Sequence, residues 1–322
     1  VDWKTLEKYQ ALIYLAAAIA GLGLGQRLDF HTGPGQTLLW PLLGVLLYTT
    51  FVQVRLGSLG RAFGDIRFTA TAVAGNFLVI PLVVFPLLWL VPADPAVRLG
   101  VAMVLLVPCT DWFISFTQLG RGDTGKAIAF TPLSLLLQVA LLPVYLAVLL
   151  GTEVATGLVR VELLWAFVLL ILLPFFMALV TQRWAVRSFG RARRLRELAW
   201  LPIPLLAMVV FLVAATQSGT LMESGRIVWQ VVGVFVAFLA FAALLARLLA
   251  SLTGMPAEQG RVLAFSFGSR NSFVVLPVAL ALPASMELAM VVIVLQSLVE
   301  LFGMIAFVWL VPNWLFPDRT AP

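Results

Sequence analysis

Sulfur, a hydroxyl and a carboxylate stand together in the run Val107-Pro108-Cys109-Thr110-Asp111-Trp112, inside an otherwise apolar stretch. Cys109 is the only cysteine of the chain, so it closes no internal disulfide. Its soft sulfur suits a thiophilic solute, and Thr110 offers that solute a hydroxyl. A second polar cluster, Phe267-Gly268-Ser269-Arg270-Asn271-Ser272, interrupts another apolar stretch shortly before Pro277. A third group is Gln296-Ser297-Leu298-Val299-Glu300, whose Gln296 and Glu300 are four apart and share a helical face. Asn76 adds a single amide to a further apolar stretch.

The elements that carry these groups are membrane helices. Hydrophobic residues make up 62% of the chain and charged residues 11%, where a soluble domain has about 25% charged. Apolar runs of the length that crosses a bilayer recur throughout, continuous rather than alternating, which excludes a β-barrel. The reading is an all-α membrane protein with ten transmembrane helices, at 9–25, 37–54, 69–92, 98–119, 125–151, 161–182, 198–217, 227–252, 260–282 and 286–311. Sixteen of the 21 basic residues then fall in segments on one side and four in loops on the other. That bias predicts a multi-pass protein of the cell membrane with both termini cytoplasmic. The net charge of +6 therefore belongs to topology and does not imply nucleic acid. The densest basic run, Arg183 to Arg196, reads as a solvated cytoplasmic loop against anionic lipid. The one histidine, His31, falls in an outer loop, and no metal-ligand cluster or nucleophile–base pair is present. The chain is expected to be no enzyme and to need no cofactor.

Ten spans divide into two repeats of five, 1–152 and 153–322, and an odd number per half makes the repeats inverted. The fourth and ninth spans correspond, and these are the two with dense polar interruptions. Matched broken helices point to a transporter's site at the bilayer midplane. Charges at that depth need partners. Asp111 and Arg270 are expected to pair where the broken helices meet, as a structural lock or as a substrate or gate contact. Glu300 is then left without a cation and is the candidate proton carrier. For Cys109 the fitting solute is arsenite, a neutral trihydroxide that exchanges hydroxyls for thiolates. One thiol gives the weak, reversible contact that a carrier needs. Thr110, Ser269, Asn271 and Ser272 are expected to supply further polar contacts, with Asn76 as an additional candidate.

With these residues assembled, the chain resembles the arsenite efflux permeases of the arsenical-resistance family, which belong with the bile acid:sodium symporters. The likeness lies in Val107-Pro108-Cys109-Thr110 with Leu119-Gly120-Arg121-Gly122-Asp123, in Gly268-Ser269-Arg270-Asn271-Ser272, and in Leu298-Val299-Glu300. It implies a core and a panel domain, with two unwound helices crossing in the core. It implies export of arsenite, often antimonite, against protons, with the essential thiol at Cys109 and the essential carboxylate at Glu300. Asp111 and Arg270 stand where those permeases have uncharged residues. The sodium-binding branch has a carboxylate near Ser266-Phe267-Gly268 and a Ser-Asn pair at Phe113-Ile114, and both are missing. This favours proton coupling. The alternative is a sodium- or proton-coupled carrier of an organic anion, with Arg270 binding a carboxylate and broken-helix N-termini assisting.

Overall fold

The computed structural model describes residues 3–27, 34–54, 59–110, 112–150, 163–188, 190, 191, 193, 195, 198, 200–219 and 225–318. Among them every regular element is helical. The helices used below are α1 (Trp3–Gly25), α2 (Pro34–Gln53), α3 (Ile66–Leu87), α4 (Pro95–Leu106), α5 (Trp112–Leu119), α6 (Thr124–Leu150), α7 (Leu163–Val186), α8 (Pro202–Thr216), α9 (Gly225–Leu252), α10 (Ala257–Gly268), α11 (Ser272–Leu280) and α12 (Leu288–Leu310). Five helical stretches are long and apolar enough to cross a membrane: α3, α6, α7, α9 and the stretch Ala284–Leu315 that contains α12. Shorter apolar helices accompany them, and the expected fourth and ninth spans are each two half-helices, α4 with α5 and α10 with α11.

Local sequence accounts for these boundaries. Asp94 caps α4 by accepting from the Val97 amide at 3.0 Å, and Pro95 follows where its missing N–H costs nothing. Asp65 caps α3 in the same way through the Phe68 amide at 3.1 Å. Two prolines inside membrane helices do more than kink them. Pro81 and Pro174 each follow a π-helical turn, Gly75–Val79 and Phe167–Leu172. A proline ring collides with the carbonyl four residues back, and a widened turn relieves the collision.

α1 packs along α8, α2 along α7, and α4 along α12. Without a hydrophobic driving force between helices in lipid, close contact depends on small residues. Gly25 is the sharpest case, because a Cβ there would collide with the Ala215 carbonyl oxygen of α8, and at Gly100 a Cβ would stand 2.9 Å from the Ala289 carbonyl oxygen of α12. At one end of the bundle, charged residues from four segments meet. Asp65 accepts from Lys126 Nζ at 2.6 Å and from Gln259 Nε2 at 3.1 Å. Arg261 donates to the carbonyls of Arg121 and Phe316 and to Asp318. These all lie in segments that the charge bias assigns to one face. Lys126 and its hydrogen bonds hold the Asp65 carboxyl below its ordinary 3.8.

Candidate functional site

The two interruptions meet. After Leu106 the chain turns extended at Val107, and after Gly268 it does so at Ser269. The Cys109 amide donates to the Ser269 carbonyl at 3.1 Å, and the Asn271 amide to the Val107 carbonyl at 2.7 Å. This is an antiparallel bridge centred on Pro108 and Arg270. Pro108 has no N–H and stops α4, so its neighbours' backbone groups need partners that hydrocarbon cannot supply. The second break supplies them. Asn271 then starts α11, its Oδ1 accepting from the Val274 amide at 3.2 Å.

Arg270 is fully buried, and its guanidinium is held by oxygens. Nη2 donates to Asn76 Oδ1 at 2.8 Å and to the Ser266 and Phe267 carbonyls at 2.7 and 2.9 Å. Nη1 reaches the Leu105 carbonyl at 3.3 Å. The cation therefore sits at the C-terminal, negative ends of both α4 and α10. The Phe238 ring of α9 lies 5.6 Å beneath it. The expected partner Asp111 lies outside the described residues.

Asn76 is thus fixed by Arg270. Its amide nitrogen donates to Ser266 Oγ at 2.9 Å and to the Ala72 carbonyl at 3.1 Å. It belongs to the π-helical turn before Pro81, a widening that recurs at functional sites in helical proteins. Gly75 beside it lets the Phe267 ring in, where any Cβ would collide.

Glu300 was expected to lack a cation, and no ion pair to it occurs among the described residues. It has three N–H donors instead. Oε2 accepts from the backbone amide of Arg270 at 2.7 Å and from Gln296 Nε2 at 2.6 Å. Oε1 accepts from Trp112 Nε1 at 3.1 Å. Trp112 opens α5 and stacks edge-on against Phe273 of α11, ring centroids 5.4 Å apart. Glu300 is therefore joined to both halves of the crossing.

The remaining candidates divide. Ser272 Oγ donates to Gln296 Oε1 at 2.8 Å, and Ser269 Oγ to the Phe265 carbonyl at 2.7 Å, so both hydroxyls serve the framework. Cys109 and Thr110 are buried in the first break. Asn271 Nδ2 is a buried donor without a hydrogen-bond partner among the described residues. Cys109, Ser269, Arg270, Asn271, Asn76, Ser272 and Glu300 thus share one network, and Thr110 adjoins it. Sequence reasoning missed Trp112. Its signal was position: a donor directly after a break that needs a capped carboxylate nearby. Apart from this network, an apolar crevice of about 820 Å³ runs between α2 and α7 to the end of α11, lined by Trp40, Tyr48, Trp165, Met177 and Leu280.

The described geometry allows two kinds of chemistry. The thiol can exchange with a hydroxylated soft centre, and the carboxylate can take a proton on Oε1, which accepts one N–H bond and keeps a lone pair. In comparison with known proteins, the model of the Sodium Bile acid symporter family matches residues 40–224, just over half of the chain. The match takes in the first break, Asn76 and α6. No curated protein matches the chain.

Proposed function

The chain belongs to the Sodium Bile acid symporter family, and from that premise we propose that it exports a trivalent metalloid, arsenite and in some measure antimonite, in exchange for protons. Membership makes it a multi-pass membrane transporter of small molecules. The finer reading rests on one observation. The residue that carries the single thiol and the buried carboxylate meet the same short stretch of backbone. The Cys109 amide donates to the Ser269 carbonyl, and Glu300 accepts from the amide of Arg270, the next residue.

In this reading arsenite enters as As(OH)₃. The Cys109 thiol displaces one hydroxyl, forming one S–As bond and releasing one water. The reverse step frees the solute. Thr110 and Asn271 face the oxygens, with Asn271 Nδ2 as the donor open to them, while Ser269 and Ser272, their protons committed to the framework, offer only acceptor lone pairs. Glu300 carries the proton. Accepting it on Oε1 neutralises the acceptor and weakens the bond from Trp112 that joins α5 to α12, which ties proton binding to the shape of the crossing.

The Arg270 cage supports protons over sodium. Three carbonyl oxygens at the ends of two half-helices and the Asn76 side-chain oxygen would suit a small cation, but a tethered guanidinium holds them. Asn76 is a positioning residue for that guanidinium. Asp111 is proposed as the second member of an ion pair with Arg270 that locks or gates the crossing. The architecture that goes with this function is ten spans in two inverted repeats, 1–152 and 153–322, with cytoplasmic termini. The similar local form of the two breaks, each an extended residue after a half-helix, supports the repeat.

A second reading, a sodium- or proton-coupled organic anion carrier, is favoured by the apolar crevice, which would suit an amphipathic solute. It needs Arg270 as the anion's partner, yet most of that guanidinium is already engaged. Glu300→Gln separates coupling from binding. Proton-driven arsenite uptake should vanish in this variant while arsenite exchange across the membrane continues. Proton-driven uptake at the wild-type rate would remove Glu300 from coupling.

A further inference from the structure

A row of polar side chains on α6 lies outside the network described above. Ser134, Gln138 and Tyr145 are four and seven residues apart in turn, which puts them on one face of the helix. Ser134 and Gln138 are completely buried. The Ser134 hydroxyl, both ends of the Gln138 amide and the Tyr145 hydroxyl have no hydrogen-bond partner among the described residues. The same is true of Nε of Arg270, and the Tyr145 phenol lies within electrostatic range of that guanidinium. α6 packs against α4, α5 and α10, the half-helices of the crossing.

Such a row is costly in a dry core. Buried polar groups are nearly always bonded, and leaving several unbonded on one face would be strongly destabilising. Gln138 is the most telling, because its donor and its acceptor are both unmatched. Reversing the amide changes nothing. A carboxylate or other anion would satisfy the nitrogen and leave the oxygen bare. Only a partner that both donates and accepts serves it. Serine and tyrosine hydroxyls are matched by the same kind of partner.

We propose that the Ser134–Gln138–Tyr145 face of α6 is a hydrated solute-contacting wall beside Arg270, built for neutral hydroxylated solutes and not for anions. The inference rests on the export reading for its solute, As(OH)₃, which offers three hydroxyls. The hydration itself follows from the side chains alone. Gln138 stands about 21 Å along α6 from Thr124 at 1.5 Å per residue, which is deep in a helix of this length. The wall therefore extends the site from the crossing toward the interior of the core.

The test uses the chain's single cysteine to advantage. In a Cys109→Ser background, cysteine is introduced singly at Ser134, Gln138, Leu135 and Val139, the last two being buried apolar positions turned away from that face of α6. Membrane vesicles are treated with 2-hydroxyethyl methanethiosulfonate, a neutral hydroxylated reagent that reacts with thiolates in contact with water. Variants that elute as monodisperse protein in detergent are scored. Modification at 134 and 138 should be at least ten times faster than at 135 and 139. Equal, slow modification at all four positions overturns the wall. Arsenite uptake by Gln138→Leu, with Cys109 intact, tests the solute: KM should rise at least tenfold. An unchanged KM would reduce the wall to bound water and overturn the solute assignment. Absence of arsenite uptake by wild type would sink the export reading and that assignment together, while the labelling still decides the hydration.

Discussion

Replacing Arg270 by alanine removes a cation held by four oxygens and leaves the backbone that carries them. Hydrogen bonds to a charged group contribute about 1.5–3 kcal/mol each, but much of that is offset by the cost of burying the guanidinium. Removing one partner of a buried charged assembly typically costs about 3–5 kcal/mol. At about 2–4 °C per kcal/mol for a chain of this order of size, the melting temperature should fall by roughly 10 °C. The emptied cage then presents Asn76 Oδ1 and the carbonyls of Leu105, Ser266 and Phe267. These are hard ligands of the kind that alkali and alkaline-earth ions take. If sodium binds there with a dissociation constant near 10 mM, 100 mM sodium restores about 1.4 kcal/mol, or roughly 3–5 °C. The assay is thermal unfolding of purified protein in choline chloride against sodium chloride at equal ionic strength. Arg270→Ala should be stabilised by sodium and wild type should not. A wild type stabilised by sodium as strongly as the variant would refute the argument that the guanidinium takes the place of a coupling cation.

Trp112→Phe keeps a ring against Phe273 but deletes the donor to Glu300, so it should destabilise by about 1.5–3 kcal/mol and slow proton-driven uptake; unchanged melting and uptake would remove Trp112 from the site. Gly100→Ala forces a methyl group toward the Ala289 carbonyl, and overpacking of this kind costs about 1–3 kcal/mol, visible as a melting temperature several degrees lower. Asp65 has a depressed carboxyl pKa, so its pairing stabilises the fold above the unfolded value of 3.8 and is lost as pH falls through the lower, folded value. Asp65→Asn keeps the helix cap and loses the ion pair with Lys126; it should cost about 1 kcal/mol or less near neutral pH, a deficit that shrinks below pH 4 in pH-dependent unfolding.

Much of this site was legible in the sequence because its cause is local. Pro108 must stop a helix, and Ser269-Arg270-Asn271 cannot continue one cheaply at bilayer depth, so two breaks and their meeting follow from residue types. The composition likewise fixes helices as the spanning elements. The partners of the charges were not legible. Glu300 reads as lacking a cation, and nothing local says that the backbone amide of Arg270 and the indole of Trp112 will fill its oxygens. These are contacts across 30 and 188 positions of sequence. Arg270 reads as the mate of Asp111, and nothing local says that carbonyls at two helix ends and Asn76 also hold it. Asn76 itself was a weak candidate because a lone amide carries no pattern. Pro81 was the available clue, since it widens the turn that carries Asn76. The α6 row was readable by its spacing, but Ser134 and Gln138 are residues that membrane helices also bury singly for packing. Their lack of partners is visible only in three dimensions.

The export reading is tested most directly by arsenite uptake into everted membrane vesicles under an imposed pH gradient without sodium, with wild type and Cys109→Ser side by side. Uptake by wild type and its loss in a folded Cys109→Ser protein is the expected result. Equal uptake by both would contradict the thiol mechanism, and no uptake by folded wild type would contradict metalloid export itself.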